Sequence, residues 1–267
     1  MSATIDTRAA AADPVLAAHR TPTPVTRLLR VQLEAWRAQR GIVWTTALAL
    51  VLGLAATAIG MTVAGGGGST AASVQSRFAT TAGGFQMLWL AVGVVAGAAP
   101  FRAGWASLIL SVAPGRIRWL AAAYLSILGW ALAATALFAP LAWAATAVTL
   151  LGQGHPLAAA TGVLAHLPHL AATVALQVSV GFALGAGLRS VTVPILLGYV
   201  ATASVGLLDM ARPGLSRWVD LNAATAVLSG ASDAPHGAAA PVAVTLACWL
   251  VAPAVVAAVR LSRSDLR

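Results

Sequence analysis

The polar side chains that could support chemistry are few in this sequence and poorly spaced for it. His166 and His169 stand three positions apart, as two metal ligands on one helix face would, but Pro168 interrupts a helix between them. We therefore interpret both as histidines at the edge of an apolar segment. No serine, histidine and acidic residues show the spacing of a catalytic triad or a carboxylate pair, so the sequence predicts neither an enzyme nor a metal site.

A glycine-rich stretch, GGGGST at Gly65–Thr70, raises the question of a nucleotide site. A phosphate-binding P-loop needs a lysine after its glycines and a β-strand before them. This stretch has no lysine and follows an apolar segment, so we interpret it as a flexible outer loop. The chain is expected not to hydrolyse ATP and to carry no cofactor of its own. Cys248 is the only cysteine, which excludes an internal disulfide.

The elements around these residues are those of a polytopic membrane protein. Hydrophobic residues make up 59% of the 267-residue chain and charged residues only 9%, against about 25% charged in a soluble domain. Apolar runs of about 20 residues recur along its length, as membrane-crossing helices require. The net charge of +9 comes from arginines at the ends of these runs, so we do not interpret it as a nucleic-acid surface.

The predicted fold class is an all-α membrane protein with six transmembrane helices. Residues 1–25 are expected to form a disordered cytoplasmic tail, and 26–267 a single transmembrane domain. The predicted spans are about 42–64, 84–100, 119–141, 169–188, 191–208 and 241–259. None carries a charged residue near its middle, which argues against an ion or proton relay. Asp209 stands at the outer end of the fifth span and is expected to cap it or to lie at the membrane interface.

The arginines predict the orientation of these spans. With six spans and both termini on one side, the other side holds only Arg77, Arg212 and Arg217. The remaining thirteen arginines fall on the side of the termini: Arg8, Arg20, Arg27, Arg30, Arg37, Arg40, Arg102, Arg116, Arg118, Arg189, Arg260, Arg263 and Arg267. Because positive residues concentrate in cytoplasmic segments, both termini are predicted to be cytoplasmic.

An amphipathic helix is predicted at residues 26–40, before the first span. Its polar stripe is Arg27, Arg30, Glu34, Arg37 and Arg40. Apolar residues fill most of the rest, and such a helix lies in the membrane interface, with Trp36 and the arginines at headgroup level. The alternative is a generic anchor beside the membrane.

A second amphipathic piece, PFRAGWASLILSVAPGRIR, separates the second and third spans. Burying Arg102, Arg116 and Arg118 would cost roughly 8–10 kcal/mol, so the chain must leave the membrane here. One face of a short helix is formed by Trp105, Leu108, Ile109 and Val112, and Pro114 then ends it. Such a helix either lies on the lipid surface or docks on another protein.

Small residues predict where helices approach each other closely. Gly93 and Gly97 in the second span, and Gly181 and Gly185 in the fourth, each stand four positions apart. The sequence leaves open whether they meet within one subunit or across a dimer.

The segment 217–230 is too apolar for a free loop. Trp218 and Leu221 are expected to lie in the outer interface, and Asn222 to cap a helix at 223–228. One or two short helices are predicted here as a lid above a dimer seam. The alternative is a surface helix away from that seam.

The order of these features resembles the membrane subunit of type-2 ABC exporters. RLLRVQLEAWRAQRGIVW is similar to the family's elbow helix and the start of its first span. PFRAGWASLILSVAPGRIRWLAAAYL is similar to its loop between spans two and three. RWVDLNAATAVLSG resembles its outer segment before the last span, and RLSRSDLR its short basic end.

The resemblance implies a permease subunit that forms the translocation path in the plasma (inner) membrane of a bacterium. Its partners would be an ABC ATPase subunit, which binds ATP and Mg²⁺, a second permease subunit in a homo- or heterodimer, and membrane lipid. The residues that would couple to the ATPase are Arg102, Gly104, Trp105, Leu108, Ile109, Val112, Pro114, Arg116 and Arg118. The alternatives are a membrane assembly component without a transport path, or a secondary transporter or membrane enzyme.

Overall fold

The computed structural model describes residues 25–64, 86–102, 115–152, 166–212, 214–228 and 239–263, with positions 154, 156, 161 and 164. All regular structure within these ranges is helical. The helices are α1 (Val25–Ala38), α2 (Arg40–Ala64), α3 (Gln86–Arg102), α4 (Arg116–Gly152), α5 (Leu167–Leu188), α6 (Thr192–Ala211), α7 (Leu221–Leu228), α8 (Ala239–Leu246) and α9 (Ala252–Arg263). A π-helical segment, Ala247–Val251, joins α8 to α9, and a 3₁₀ turn, Ser216–Trp218, precedes α7.

Within the described ranges, four helical segments are long and apolar enough to cross a membrane: α4, α5, α6 and the continuous stretch 239–263. A fifth is reached if α1 and the start of α2, which meet at a bend of 76°, count as one span. The molecule is therefore a helical, membrane-embedded protein, and its described residues contain four to five helices of spanning length, so the six predicted spans are not confirmed. The predicted second span corresponds to α3, whose 17 residues are fewer than the roughly 20 that a span needs.

The third predicted span differs most from the structure. Instead of ending near Leu141, α4 runs for 37 residues to Gly152, a length of about 55 Å. Pro140 lies inside this helix without ending it. The apolar sequence on both sides of Pro140 favours a continuous helix, and this outweighs the cost of the one backbone hydrogen bond that the proline cannot donate.

The helices α2 and α4 pack as a parallel pair, and so do α3 and α5. Along α2 and α4, Thr46 contacts Trp130 and Gly53 lies against Phe138, so both helices run in the same direction. Along α3 and α5, Gly181 lies against Leu90 and Gly185 against Val94, which is again a parallel pairing. The direction of α4 is opposite to that of α5.

The centre of the molecule is α5. In the most apolar stretch of α5, 83% of the residues are buried within the chain, against 12% in the corresponding stretch of α6. Around α5 lie α3, α4, α6 and α9, and their facing side chains form the core. Large apolar side chains such as Trp44, Tyr199 and Met210 stay exposed on α2 and α6. These surfaces therefore face lipid or another chain.

Candidate functional site at the arginine-rich end

Four glycines join α3 and α5 backbone to backbone. A Cβ atom added to Gly93 would overlap the carbonyl oxygen of Val178, and one added to Gly97 would overlap that of Phe182. The relationship is reciprocal, because a Cβ on Gly181 or Gly185 would overlap a carbonyl oxygen of α3. The two four-residue glycine patterns therefore meet each other within one chain, as close helix packing in membranes requires.

This contact fixes two helices that connect both ends of the molecule. At one end, α3 stops at Arg102 and α5 stops at Leu188, next to Arg189. We call this end the arginine-rich end and define it by Arg102, Arg116, Arg118, Arg189, Arg260 and Arg263. It also contains the start of α4 and the end of α9.

Three of these arginines donate hydrogen bonds to backbone carbonyls where helices end. Arg260 Nη1 donates to Gly187 O at 2.7 Å, near the end of α5. Arg116 Nη1 donates to Leu261 O at 3.2 Å, and Arg189 Nη2 donates to Arg260 O at 3.4 Å, both in the last turn of α9. A positive charge at the C-terminal end of a helix is stabilised by the helix dipole. The arginines thus link α4, α5 and α9.

A small apolar cluster lies within the same end. Trp119 and Leu261 are buried against each other, and Phe101 and Leu120 pack on them. The guanidinium carbon of Arg189 lies 4.9 Å from the centre of the Phe101 ring, in a cation–π contact. The ends of α3, α5 and α9 and the start of α4 are therefore one connected structure.

Most of the predicted coupling residues lie in the segment that leaves this cluster at Arg102 and returns to it at Gly115. Arg102 and Arg118 are exposed, and Arg116 is half-buried against α9. The other predicted coupling residues lie outside the described residues: Gly104, Trp105, Leu108, Ile109, Val112 and Pro114. The structure describes the helix ends that this segment connects, which are the end of α3 and the start of α4.

The arginine-rich end is strongly positive over the part of the chain that the structure describes. The carboxylates in that part are Glu34, Asp209 and Asp220. Glu34 Oε1 accepts from Arg30 Nε at 3.3 Å within α1, and the two aspartates lie at the opposite end. Anionic groups outside these residues, such as lipid phosphates or acidic side chains of a partner, are the natural counter-charges.

The amphipathic N-terminal helix packs on α4 rather than only on the membrane interface. Its arginines are exposed as expected, but Trp36, expected at headgroup level, is only 1% exposed. Its indole Nε1 donates to Ser126 Oγ at 2.7 Å. Trp36 therefore packs against protein, and its predicted headgroup level stays a prediction. A buried tryptophan needs a partner for its N–H, and Ser126 of α4 supplies one.

The opposite end is organised around Asp209. Its Oδ1 accepts hydrogen bonds from the backbone N–H groups of Gly214 and Ser216, at 3.2 and 3.4 Å. The carboxylate thus holds the turn that follows α6, and the 3₁₀ turn containing the exposed Trp218 comes next. Trp249 Nε1 then donates to Val219 O at 3.1 Å, which ties this outer segment to the last helical stretch.

Two sequence interpretations at the opposite end need correction. Asn222 is the second residue of α7, which starts at Leu221, and so it does not stand before the helix as its cap. Pro168 does not separate two helical pieces, because it lies in the first turn of α5, where proline is tolerated. His166 precedes that helix and His169 belongs to it. Within the described ranges, no three histidine, cysteine or acidic residues are grouped as a metal site would require.

No protein-family model, curated protein or solved structure matches the chain. Function must therefore be inferred from the residues and the contacts described above.

Proposed function

We propose that this chain is the permease subunit of a type-2 ABC exporter. In this proposal it forms the translocation path together with a second permease subunit, in the plasma (inner) membrane of a bacterium. A separate ATPase subunit binds ATP and Mg²⁺ and docks at the arginine-rich end. The segment around 102–112 transmits the motion of the ATPase to the membrane helices.

One observation carries the proposal. The segment from Arg102 to Arg116 begins and ends on the cluster of Trp119, Leu261 and Phe101, which also joins α5 and α9. A force applied to this segment would reach four helices through contacts that are already made. A loop that only connected two spans would not need to begin and end at a cluster that joins four helices.

The proposal also assigns roles to the helices at the edge of the bilayer. In this interpretation α1 is the elbow helix, and its 76° bend into α2 turns the chain from the interface into the membrane. The short α3 is the sixth span. Its 17 residues cover about 25 Å, and a bilayer thins locally at a modest energetic cost to match such a length. The outer segment with Trp218, Leu221 and Asn222 is a lid over the path.

The test is whether an ATPase depends on the segment. The tagged chain is purified from native membranes in mild detergent, and a co-purifying P-loop ATPase is identified by mass spectrometry and by ATP hydrolysis. Trp105→Ala should remove it, because aromatic anchors in an interface contribute about 2–4 kcal/mol. Trp44→Ala is the matched control, since Trp44 is 72% exposed and belongs to α2.

Two results would contradict the proposal. One is that no P-loop ATPase accompanies the wild-type chain, which favours an assembly component or a secondary transporter. The other is that Trp105→Ala and Leu108→Asp both keep a full complement of ATPase and normal export. Membrane abundance should stay near wild type in every variant, because Trp105 and Leu108 lie outside the predicted spans and Trp44 is exposed on α2.

A further inference from the structure

A groove runs along the outside of the helix bundle between α4, α5 and α9. It has a volume of about 340 Å³ and opens on one side, which is within the range of ligand-binding pockets. Its walls carry small side chains, with Ala121 on α4, Ala183 and Ala186 on α5, and Ala254 and Ala257 on α9. The alanines leave a space that larger apolar residues would fill.

In the deeper part of the groove, the two polar side chains already have hydrogen-bond partners within the chain. The hydroxyl of Tyr124 lies 2.8 Å from Ser179 Oγ, and Ser179 Oγ donates to Ala175 O at 2.6 Å. Tyr124 is therefore the donor in the first bond, and both hydroxyls have partners. The remaining lining is apolar. A hydrocarbon chain is the ligand that suits this surface.

The other end of the groove opens at the arginine-rich end. Ile117, which lines it, follows Arg116, and Ala186 precedes Gly187, whose carbonyl accepts from Arg260. Arg116 is fixed by its hydrogen bond to Leu261 O, one turn beyond Ala257. Two guanidinium groups are thus held in place beside the mouth, where the described part of the chain offers no carboxylate.

We propose that this groove binds an anionic phospholipid of the leaflet at the arginine-rich end. One acyl chain lies along the alanine-lined walls, and the phosphate lies between Arg116 and Arg260. The charge at the mouth selects the lipid, because a hydrocarbon chain gains little by leaving other lipid tails. The inference depends only on the chain lying in a membrane, and it stands whether or not an ATPase partner exists.

The experiment uses the full chain in vesicles of phosphatidylcholine and phosphatidylglycerol in equal amounts. After gentle detergent extraction, native mass spectrometry measures which lipid stays bound. The wild type should retain phosphatidylglycerol over phosphatidylcholine by at least about fivefold. An arginine near the headgroups contributes about 1 kcal/mol, so Arg260→Gln should reduce this preference about fivefold. Arg118→Gln is the charge-matched control, because Arg118 is exposed, whereas hydrogen bonds to helix ends hold Arg116 and Arg260 beside the mouth.

A second pair of variants tests the acyl-chain site without touching the arginines. Ala254→Leu fills the groove from an exposed position, so no core contact is disturbed. It should abolish the retained lipid. Ala252→Leu adds the same side chain to an exposed position outside the groove, and should leave retention unchanged.

Several outcomes would overturn the proposal. Equal retention of the two lipids, or equal loss with Arg118→Gln and Arg260→Gln, would mean a general surface attraction. Equal retention by both leucine variants would mean ordinary lipid contact. A cysteine at position 254, in a Cys248→Ala background, should form no disulfide with a second copy or with a cysteine placed at 105 or 109. Either product would show that protein occupies the groove.

Discussion

Trp36 and Ser126, ninety positions apart, are joined by a hydrogen bond of 2.7 Å that is buried between α1 and α4. This contact makes the amphipathic N-terminal helix part of the folded bundle. Ser126 Oγ also donates to Ala123 O at 2.8 Å, so the serine is a fixed acceptor for the indole N–H.

Substitution at either residue should destabilise the protein to different degrees. Trp36→Ala removes a side chain that is 1% exposed and should lower the free energy of unfolding by about 3–5 kcal/mol. Ser126→Ala leaves the indole N–H without a partner and should cost about 1–3 kcal/mol. The measurement is thermal unfolding of the purified protein. Trp44→Ala, at an exposed position, is the control. If Trp36→Ala unfolds no earlier than this control, the docking of α1 on α4 is wrong.

The glycines between α3 and α5 should tolerate no side chain. Gly97→Ala places a methyl group on the Phe182 carbonyl and should destabilise by at least about 1–3 kcal/mol, because backbone atoms cannot yield as a flexible side chain can. Gly129→Ala is the matched control in α4, where nothing lies within 4 Å of the added carbon. It should be neutral or stabilise by up to about 1 kcal/mol. Size-exclusion profiles and thermal unfolding distinguish the two, and similar behaviour would contradict the close packing.

Leu261 should be essential for the arginine-rich end. It is 1% exposed and packs on Trp119, so Leu261→Ala should cost about 2–5 kcal/mol. Val259→Ala is the control on the exposed side of the same helix and should change stability little. The measurement is hydrogen exchange in 98–102 and 115–120, which should accelerate only for Leu261→Ala. Unchanged exchange would show that the cluster does not hold these helix ends together.

The backbone of the outer segment should open more often when the hydrogen bond from Trp249 to Val219 O is removed. Trp249→Phe keeps an aromatic side chain but removes the hydrogen bond to Val219 O, worth about 1 kcal/mol. Amide exchange across 216–221 should therefore be about fivefold faster. Trp218→Phe, at a half-exposed ring in the same segment, is the comparison and should have little effect. Equal exchange in both variants would mean that Trp249 does not anchor this segment.

Orientation in the membrane is predicted from the arginines alone. In a Cys248→Ala background, single cysteines at positions 70 and 233 should react with an impermeant reagent added to intact cells. Cysteines at 115 and 265 should react only after lysis. Labelling at 115 from outside would reverse the cytoplasmic placement of the arginine-rich end.

The helical class follows from the sequence because hydropathy fixes it directly. Runs of about 20 apolar residues can satisfy their backbone in a membrane only as helices. Their lengths are harder to predict, as α4 shows, because apolar sequence continues beyond Pro140 to Gly152 without a charged residue to end the span. The bend between α1 and α2 lies at Gln39, and glutamine is not a residue type that predicts a bend.

The contacts of the candidate site were predictable only in part. The spacing of Gly93 and Gly97 predicts a close approach, but sequence cannot say that Gly181 and Gly185 are their partners. Arg189 and Arg260 indicate topology in the sequence, and nothing there predicts that they bind carbonyl oxygens at helix ends. The groove has no sequence signal, because its alanines are common throughout this chain.

The interlocked glycines limit how this protein can change shape. If α3 slid along α5 by one helical turn, Trp89 or Phe101 would take the place of a glycine and meet the backbone of α5. Sliding of packed helices is one of the two general forms of domain motion, and here steric overlap with the α5 backbone prevents it. The two helices therefore move as one rigid unit, and any change of shape in the described part of the chain must come from movement of the other helices relative to this pair.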